Sequence, residues 1–126
     1  MKISSQVYVR NSFEAVERYA RAFGAKTGLA IPDDSLKGYA HCELFVDGKL
    51  FIAVSEAPAA VDVSPKKVWQ TMAFNVYEMG SEAAVRQAFA VLSEGGTVID
   101  PPGPCSWNPC CANVIDKFGV FWWIAI

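Results

Sequence analysis

The pattern of apolar residues predicts an α+β fold built from two βαβββ modules. Two observations carry this. Stretches of strand period and helical period follow one another in the order strand, helix, strand, strand, strand, and that order occurs twice. Matching points in the two halves, Val9 with Val76, Tyr19 with Phe89, Asp47 with Asp116 and Gly48 with Gly119, stand 67 to 71 residues apart. The 126 residues are read as one domain, 1–126, with module one at about 1–56, a connector at 57–67 and module two at about 68–126.

The first strand is expected at 3–9, where Ser4, Gln6 and Tyr8 alternate with Ile3, Val7 and Val9. Asn11 and Ser12 offer helix-capping side chains, and Phe13, Val16, Tyr19, Ala20 and Phe23 then recur at helical spacing up to Gly24, which predicts a helix over 12–23. A strand at 25–31 ends in Pro-Asp-Asp; 39–46 and 50–55 form a hairpin around Asp47-Gly48. Residues 56–67 have no sustained period. Module two repeats the order with a strand at 68–77, a helix at 81–94 stopped by Gly95-Gly96, and a strand at 97–100. A proline-rich loop over 101–109 follows, then strands at 111–115 and 120–126 around the turn Asp116 to Gly119. Each helix is expected to cover one face of its own four strands.

Strand alternation sorts the remaining side chains into two faces. Val7, Val9, Cys42, Leu44, Val46, Leu50, Ile52, Val54, Met72, Phe74 and Val76 are expected beneath the helices. The opposite face receives Ser4, Gln6, Tyr8, Tyr39, His41, Glu43, Phe45, Phe51, Ala53, Ser55, Thr71, Ala73, Asn75, Tyr77, Phe121 and Trp123. Aromatic area with isolated polar groups suits a small-molecule pocket, a dimer interface, or a pocket built at an interface. The net charge of −2, with 52% hydrophobic residues and no basic stretch, argues against nucleic acid and anionic membranes as partners. The N-terminus lacks the pattern of a secretory signal and the longest apolar run is seven residues, so a soluble, cytoplasmic protein is expected. Its four cysteines are then read as thiols rather than disulfides.

Ser12 to Tyr19 leading into Ala22-Phe-Gly-Ala25, Tyr39 to Leu44 with Asp47-Gly48, Ser55-Glu-Ala-Pro58, and Ser106-Trp107 through Asp116-Lys-Phe-Gly119 occur in an order that resembles the vicinal oxygen chelate superfamily. Glyoxalase I, bleomycin-resistance proteins and extradiol dioxygenases belong to that superfamily, and the chain looks most like its PhnB-like subgroup. The resemblance implies two modules forming an open, cup-shaped mixed sheet with helices on the outer face, commonly in a homodimer. Metal-dependent members carry ligands on the first and fourth strands of each module. Those positions here become Ser4, Thr71, Ala53 or Ser55, and Trp123, a set that provides poor donors or none, so no metal cofactor is expected.

His41 and Glu43 stand two apart on one strand and point the same way. They can be read as a proton-transfer pair, as ligands of an unusual metal site, or as a structural hydrogen-bonded pair, and the last is preferred. The ligand-binding candidates are Gln6, Tyr8, Phe51, Ser55, Thr71, Asn75, Trp107 and Trp123. Trp107 belongs to the loop that covers the pocket in PhnB-like relatives, or it plugs the end of the sheet. Strand parity sends one of Trp122 and Trp123, and one of Cys110 and Cys111, to each face. The spacing of Cys105, Cys110 and Cys111 is not that of a zinc knuckle, and no Lys or Arg lies in 101–113 to activate a thiol. The leading expectation is metal-free binding of a small, partly apolar molecule. The alternative is a lyase or isomerase using His41 and Glu43.

Overall fold

Both halves of the chain fold into the same succession of elements. The computed structural model describes residues 1–60, 62 and 72–126, and the chain divides into two compact units, Met1–Val63 and Ser64–Ile126. The first unit contains β1 (Gln6–Val9), α1 (Ser12–Phe23), β2 (Lys26–Pro32), β3 (Tyr39–Val46) and β4 (Lys49–Glu56). The second contains β5 (Phe74–Val76), α2 (Glu82–Ser93), β6 (Thr97–Cys105), β7 (Asn108–Ile115) and β8 (Phe121–Ala125). The sheet orders are β1-β4-β3-β2 and β5-β8-β7-β6, so each unit is an open mixed sheet whose first and last strands pair in parallel. This is the βαβββ pattern twice over.

In the first unit, α1 buries Ala15, Val16, Tyr19 and Ala22, one face at helical spacing, and the sheet answers with Val7, Val9, Cys42, Leu44, Ile52 and Val54. The Asp47-Gly48 turn has φ of 50° and 73°, the left-handed pair that a two-residue hairpin needs to match strand twist. The expected cap from the side chains of Asn11 and Ser12 is replaced. Glu56, at the end of β4, accepts the backbone N–H groups of Asn11 and Ser12 at 3.0 and 2.7 Å, while Ser12 Oγ accepts the Tyr39 N–H at 2.8 Å. A carboxylate at the positive end of the helix satisfies its free donors and ties β4 to α1.

A single irregularity reverses two sequence-based expectations in β4. The β3–β4 register runs Leu44 with Ile52 and then Phe45 with Leu50, so Phe51 is an extra residue in the ladder. Paired residues share a face. Leu50, expected beneath α1, therefore joins Phe45 on the open side and is 42% exposed, whereas the Phe51 ring lies 5.0 Å from that of Phe23 on α1. Tyr39 is likewise drawn to the helix side, its ring 4.6 Å from Phe13 and edge-on to it. Ser4 precedes β1 and is exposed, and Met72, expected in the core, precedes β5 and is 80% exposed. Residues 68–71 of the expected 68–77 strand lie outside the described residues.

In the second unit, Ser81 caps α2 by accepting the Ala84 N–H at 3.1 Å. Val85, Ala88, Val91 and Leu92 pack on Cys110, Ala112, Val114, Trp122 and Ile124. The proline-rich stretch is a strand rather than a loop. Residues 97–105 form β6, which sits at the sheet edge, where a proline's missing N–H costs no ladder bond, and its register shifts at three places absorb the irregular backbone.

Asp116 organises the end of this sheet. Its side chain is fully buried, Oδ1 accepts the N–H groups of Phe118 and Val120 at 2.9 and 3.0 Å, and Oδ2 accepts the Trp122 indole N–H at 2.8 Å. Gly96 makes room beside it, because a Cβ there would meet Ile115 O at 2.4 Å. Asp116→Ala would leave three buried donors without that acceptor, so the expected loss of stability is about 3 kcal/mol or more, at ~1–3 kcal/mol per unmet buried group. Urea unfolding followed by tryptophan fluorescence measures it; a loss under about 1 kcal/mol would show that water replaces the carboxylate at little cost.

Candidate functional site

The face of the second sheet opposite α2 carries a row of side chains that crosses all four strands. Parallel pairing sets Asn75 of β5 beside Trp123 of β8; antiparallel pairing sets Trp123 beside Asn113 of β7 and Asn113 beside Asp100 of β6. Asn113 Nδ2 donates to Asp100 Oδ2 at 2.8 Å, which orients the amide and turns its remaining acceptor away from the carboxylate. Phe121 and Cys111 share this face two residues along their strands. Trp107, in the β6–β7 turn, stands at the margin with 76% of its surface exposed. Together these residues line a cavity of about 740 Å³, within the size range of small-molecule sites. Among the described residues its lining contains no Lys, Arg or His, and Asp100 is the one carboxylate.

The opposite orientations of the adjacent tryptophans follow from strand pleat. Trp122 is fully buried on the α2 side, its ring 5.4 Å from Phe74 and its N–H on Asp116, so Trp123 must face the cavity. The same alternation buries Cys110 and leaves Cys111 half-exposed in the cavity wall.

Cys105 and Cys111 lie on neighbouring strands and both line the cavity, near enough for each thiol to shift the titration of the other. The hydrogen bond from Cys111, helped by the backbone N–H groups of Trp107 and Asn108, holds the Cys105 thiol below its ordinary pKa. Burial, reinforced by the bond to Cys105, pushes Cys111 up to about 11. Activation of Cys105 thus comes from turn N–H groups and a second thiol, although 101–113 holds no cation. Asn108 steadies the turn: its Nδ2 donates to Ile126 O at 2.6 Å and its Oδ1 accepts the Cys110 N–H at 3.0 Å.

On the first sheet, the face away from α1 gathers most of the other sequence-derived candidates. Gln6, Ala53 and Glu43 stand side by side across β1, β4 and β3, and Tyr8 stands beside Ser55. His41 Nε2 is 3.4 Å from Glu43 Oε1, and both side chains are partly exposed. Ser55 is 2% exposed; its hydroxyl donates to Ala40 O at 2.8 Å and accepts from Gln6 Nε2 at 3.0 Å. Of the ligand-binding candidates, Asn75, Trp107 and Trp123 meet in the cavity of the second unit; Gln6, Tyr8 and Ser55 share the first sheet with His41 and Glu43; Phe51 is turned to α1; Thr71 lies outside the described residues. Asp100, Asn113, Cys105 and Cys111 complete the cavity without having been candidates. The parity of Cys111 and Asn113 was readable, but treating 101–109 as a loop removed the strand that places Asp100 and Cys105 beside them.

Ser55 and Trp123 occupy matching positions in the two sheets, next to Tyr8 and Asn75. The Ser55 hydroxyl is committed within the protein and an indole has no lone pair for a metal, so these residues do not fit the ion that the resemblance associates with the fold. Among the described residues, no three of His, Cys, Asp and Glu gather into a ligand set. No helix among them is long and apolar enough to cross a membrane.

No family model matches the chain, and neither does any curated protein. Solved structures do share its fold. A PhnB protein from Bacillus cereus superposes with a TM-score of 0.78 at 18% identity, over 99% of this chain and 98% of that one. Protein PA1353 from Pseudomonas aeruginosa gives 0.76 at 24% identity, over 99% and 96%. The fosfomycin resistance protein FosX from Listeria monocytogenes, complexed with Mn(II) and a dihydroxypropylphosphonic acid, gives 0.65 at 13% identity, over 98% and 90%. These likenesses show a shared fold.

The thiol arrangement sets an order of reactivity. At pH 8 a thiol with a pKa near 11 is almost wholly protonated, whereas one lowered below the ordinary value of 9.0 has a larger thiolate fraction. Iodoacetamide is therefore expected to label Cys105 roughly ten-fold or more faster than Cys111, with buried Cys42 and Cys110 silent in the folded protein. Peptide mapping by mass spectrometry over time reads this order, and equal rates at Cys105 and Cys111 would contradict it.

Proposed function

We propose that the chain is a small-molecule binding protein that uses the cavity of its second unit without a transition metal. The observation that carries this is the row Asn75, Trp123, Asn113 and Asp100, an aromatic floor between fixed polar groups in a cavity of about 740 Å³. Apolar area there supplies affinity, and the amides and carboxylate set orientation.

The chemistry of the lining defines the ligand class. With one carboxylate and no cation among its described lining residues, the cavity favours a neutral or cationic ligand over an anion, and its fixed hydrogen bond leaves acceptors facing inward. A flat, neutral or cationic molecule bearing N–H or O–H donors fits. Its ring would stack on Trp123 and Phe121, its donors would reach Asn113 and Asp100, and the exposed Trp107 would fold over it. A phosphonate such as the one bound to FosX would meet the like-charged carboxylate of Asp100 instead. Proton transfer by His41 and Glu43 remains the second reading, favoured by their 3.4 Å approach on the first sheet.

A screen of planar amines, amides and phenols against chelator-treated protein, read by tryptophan fluorescence, tests the proposal. Ligands of this class are expected to bind without added metal; Trp107→Ala and Asn113→Ala should each weaken binding by roughly ten-fold, and His41→Ala should leave it unchanged. Saturable Zn²⁺ or Mn²⁺ binding that disappears in His41→Ala, or a requirement for such a metal before any ligand binds, would reject the binding role in favour of the second reading.

A further inference from the structure

The two thiols of the cavity wall have a second use, independent of any reversible ligand. Cys105 and Cys111 project from adjacent antiparallel strands of one hairpin, line the same cavity and are both partly exposed, while Cys42 and Cys110 are buried at 0% and 1% exposure. Cys105 ends β6 beside the turn, where the backbone N–H groups of Trp107 and Asn108 point at its sulfur. Cys111 lies one strand further in and shares the cavity wall with Trp123. One sulfur is placed for attack from solvent and its neighbour for attack on the first.

We infer that Cys105 and Cys111 form a thiol–disulfide exchange site: Cys105 takes up one half of a low-molecular-weight disulfide from the cavity side, and Cys111 resolves the mixed disulfide. In the first step the Cys105 thiolate attacks one sulfur of RSSR, an S–S bond breaks, and RS⁻ departs to be protonated by water. In the second, Cys111 loses its proton to water and attacks the Cys105 sulfur, forming the Cys105–Cys111 bond and releasing the other RS⁻. Two protein thiols are oxidised, one disulfide is reduced to two thiols, and the two protons lost by the protein end on the released RSH. The reactivities already described match these roles, since the more acidic thiol attacks and the less acidic one is held in reserve. The β6 register shift between Gly103 and Cys105 places the nucleophile where the ladder is already irregular, next to the turn.

The test uses full-length reduced protein and oxidised glutathione, with peptide mapping at timed quenches. Wild-type protein is expected to end with Cys105 and Cys111 joined to each other and with Cys42 and Cys110 unmodified. Cys111→Ser should stop with one glutathionyl group on Cys105, and Cys105→Ser should react about ten-fold more slowly than wild type. Circular dichroism establishes that each variant is folded, and Cys111→Ala replaces the serine variant if that one is not. Failure of folded Cys111→Ser to accumulate the adduct on Cys105 would overturn the inference. So would wild-type protein that crosslinks through Cys110, or a Cys105→Ser variant that reacts as fast as wild type.

Discussion

The buried carboxylate of Asp116 is the constraint on which the second unit turns. It gathers two backbone N–H groups of its own turn and the indole of Trp122, so one side chain fixes both the bend between β7 and β8 and the side on which Trp122 packs. Adjacent residues on a strand cannot share a face, so fixing Trp122 inward fixes Trp123 outward. The floor of the cavity is thus decided on the opposite side of the sheet, by an ionisable group that no ligand would touch. Burying a carboxylate is tolerable because its oxygens meet donors that would themselves be costly to leave unmet.

The first unit solves the same topological problem with other chemistry. Its helix begins on a carboxylate borrowed from β4, whereas α2 begins on its own serine. At corresponding places beside the parallel strand pair, one sheet has a committed serine and the other a tryptophan. The repeat has therefore kept strand order and core pattern while its two open faces have diverged, one becoming a polar group of hydrogen-bonded side chains and the other an aromatic cavity.

Periodicity and turn residues made most of this readable in the sequence. Two βαβββ modules, both helices, the Asp47-Gly48 hairpin, and the opposite directions of Trp122 and Trp123 and of Cys110 and Cys111 all follow from alternation and capping rules. Alternation fails where the ladder has an extra residue. The bulge at Phe51 moves Leu50 and Phe51 to the faces opposite those their parity assigns, and no feature of the local composition announces it. Proline content misled differently, because 101–109 has the composition of a loop, yet an edge strand can accept prolines that a central one cannot. Glu56 was unreadable as a helix cap because its partner lies more than forty residues away in sequence, a distance that only the folded sheet closes.

The prolines of β6 have one more consequence. An outer strand normally displays unpaired amide donors onto which a neighbouring chain can add, extending the sheet from molecule to molecule. Pro101, Pro102 and Pro104 remove three backbone N–H groups from β6. The rim beside the cavity is thereby a poor template for strand addition, which guards an apolar opening against polymerisation.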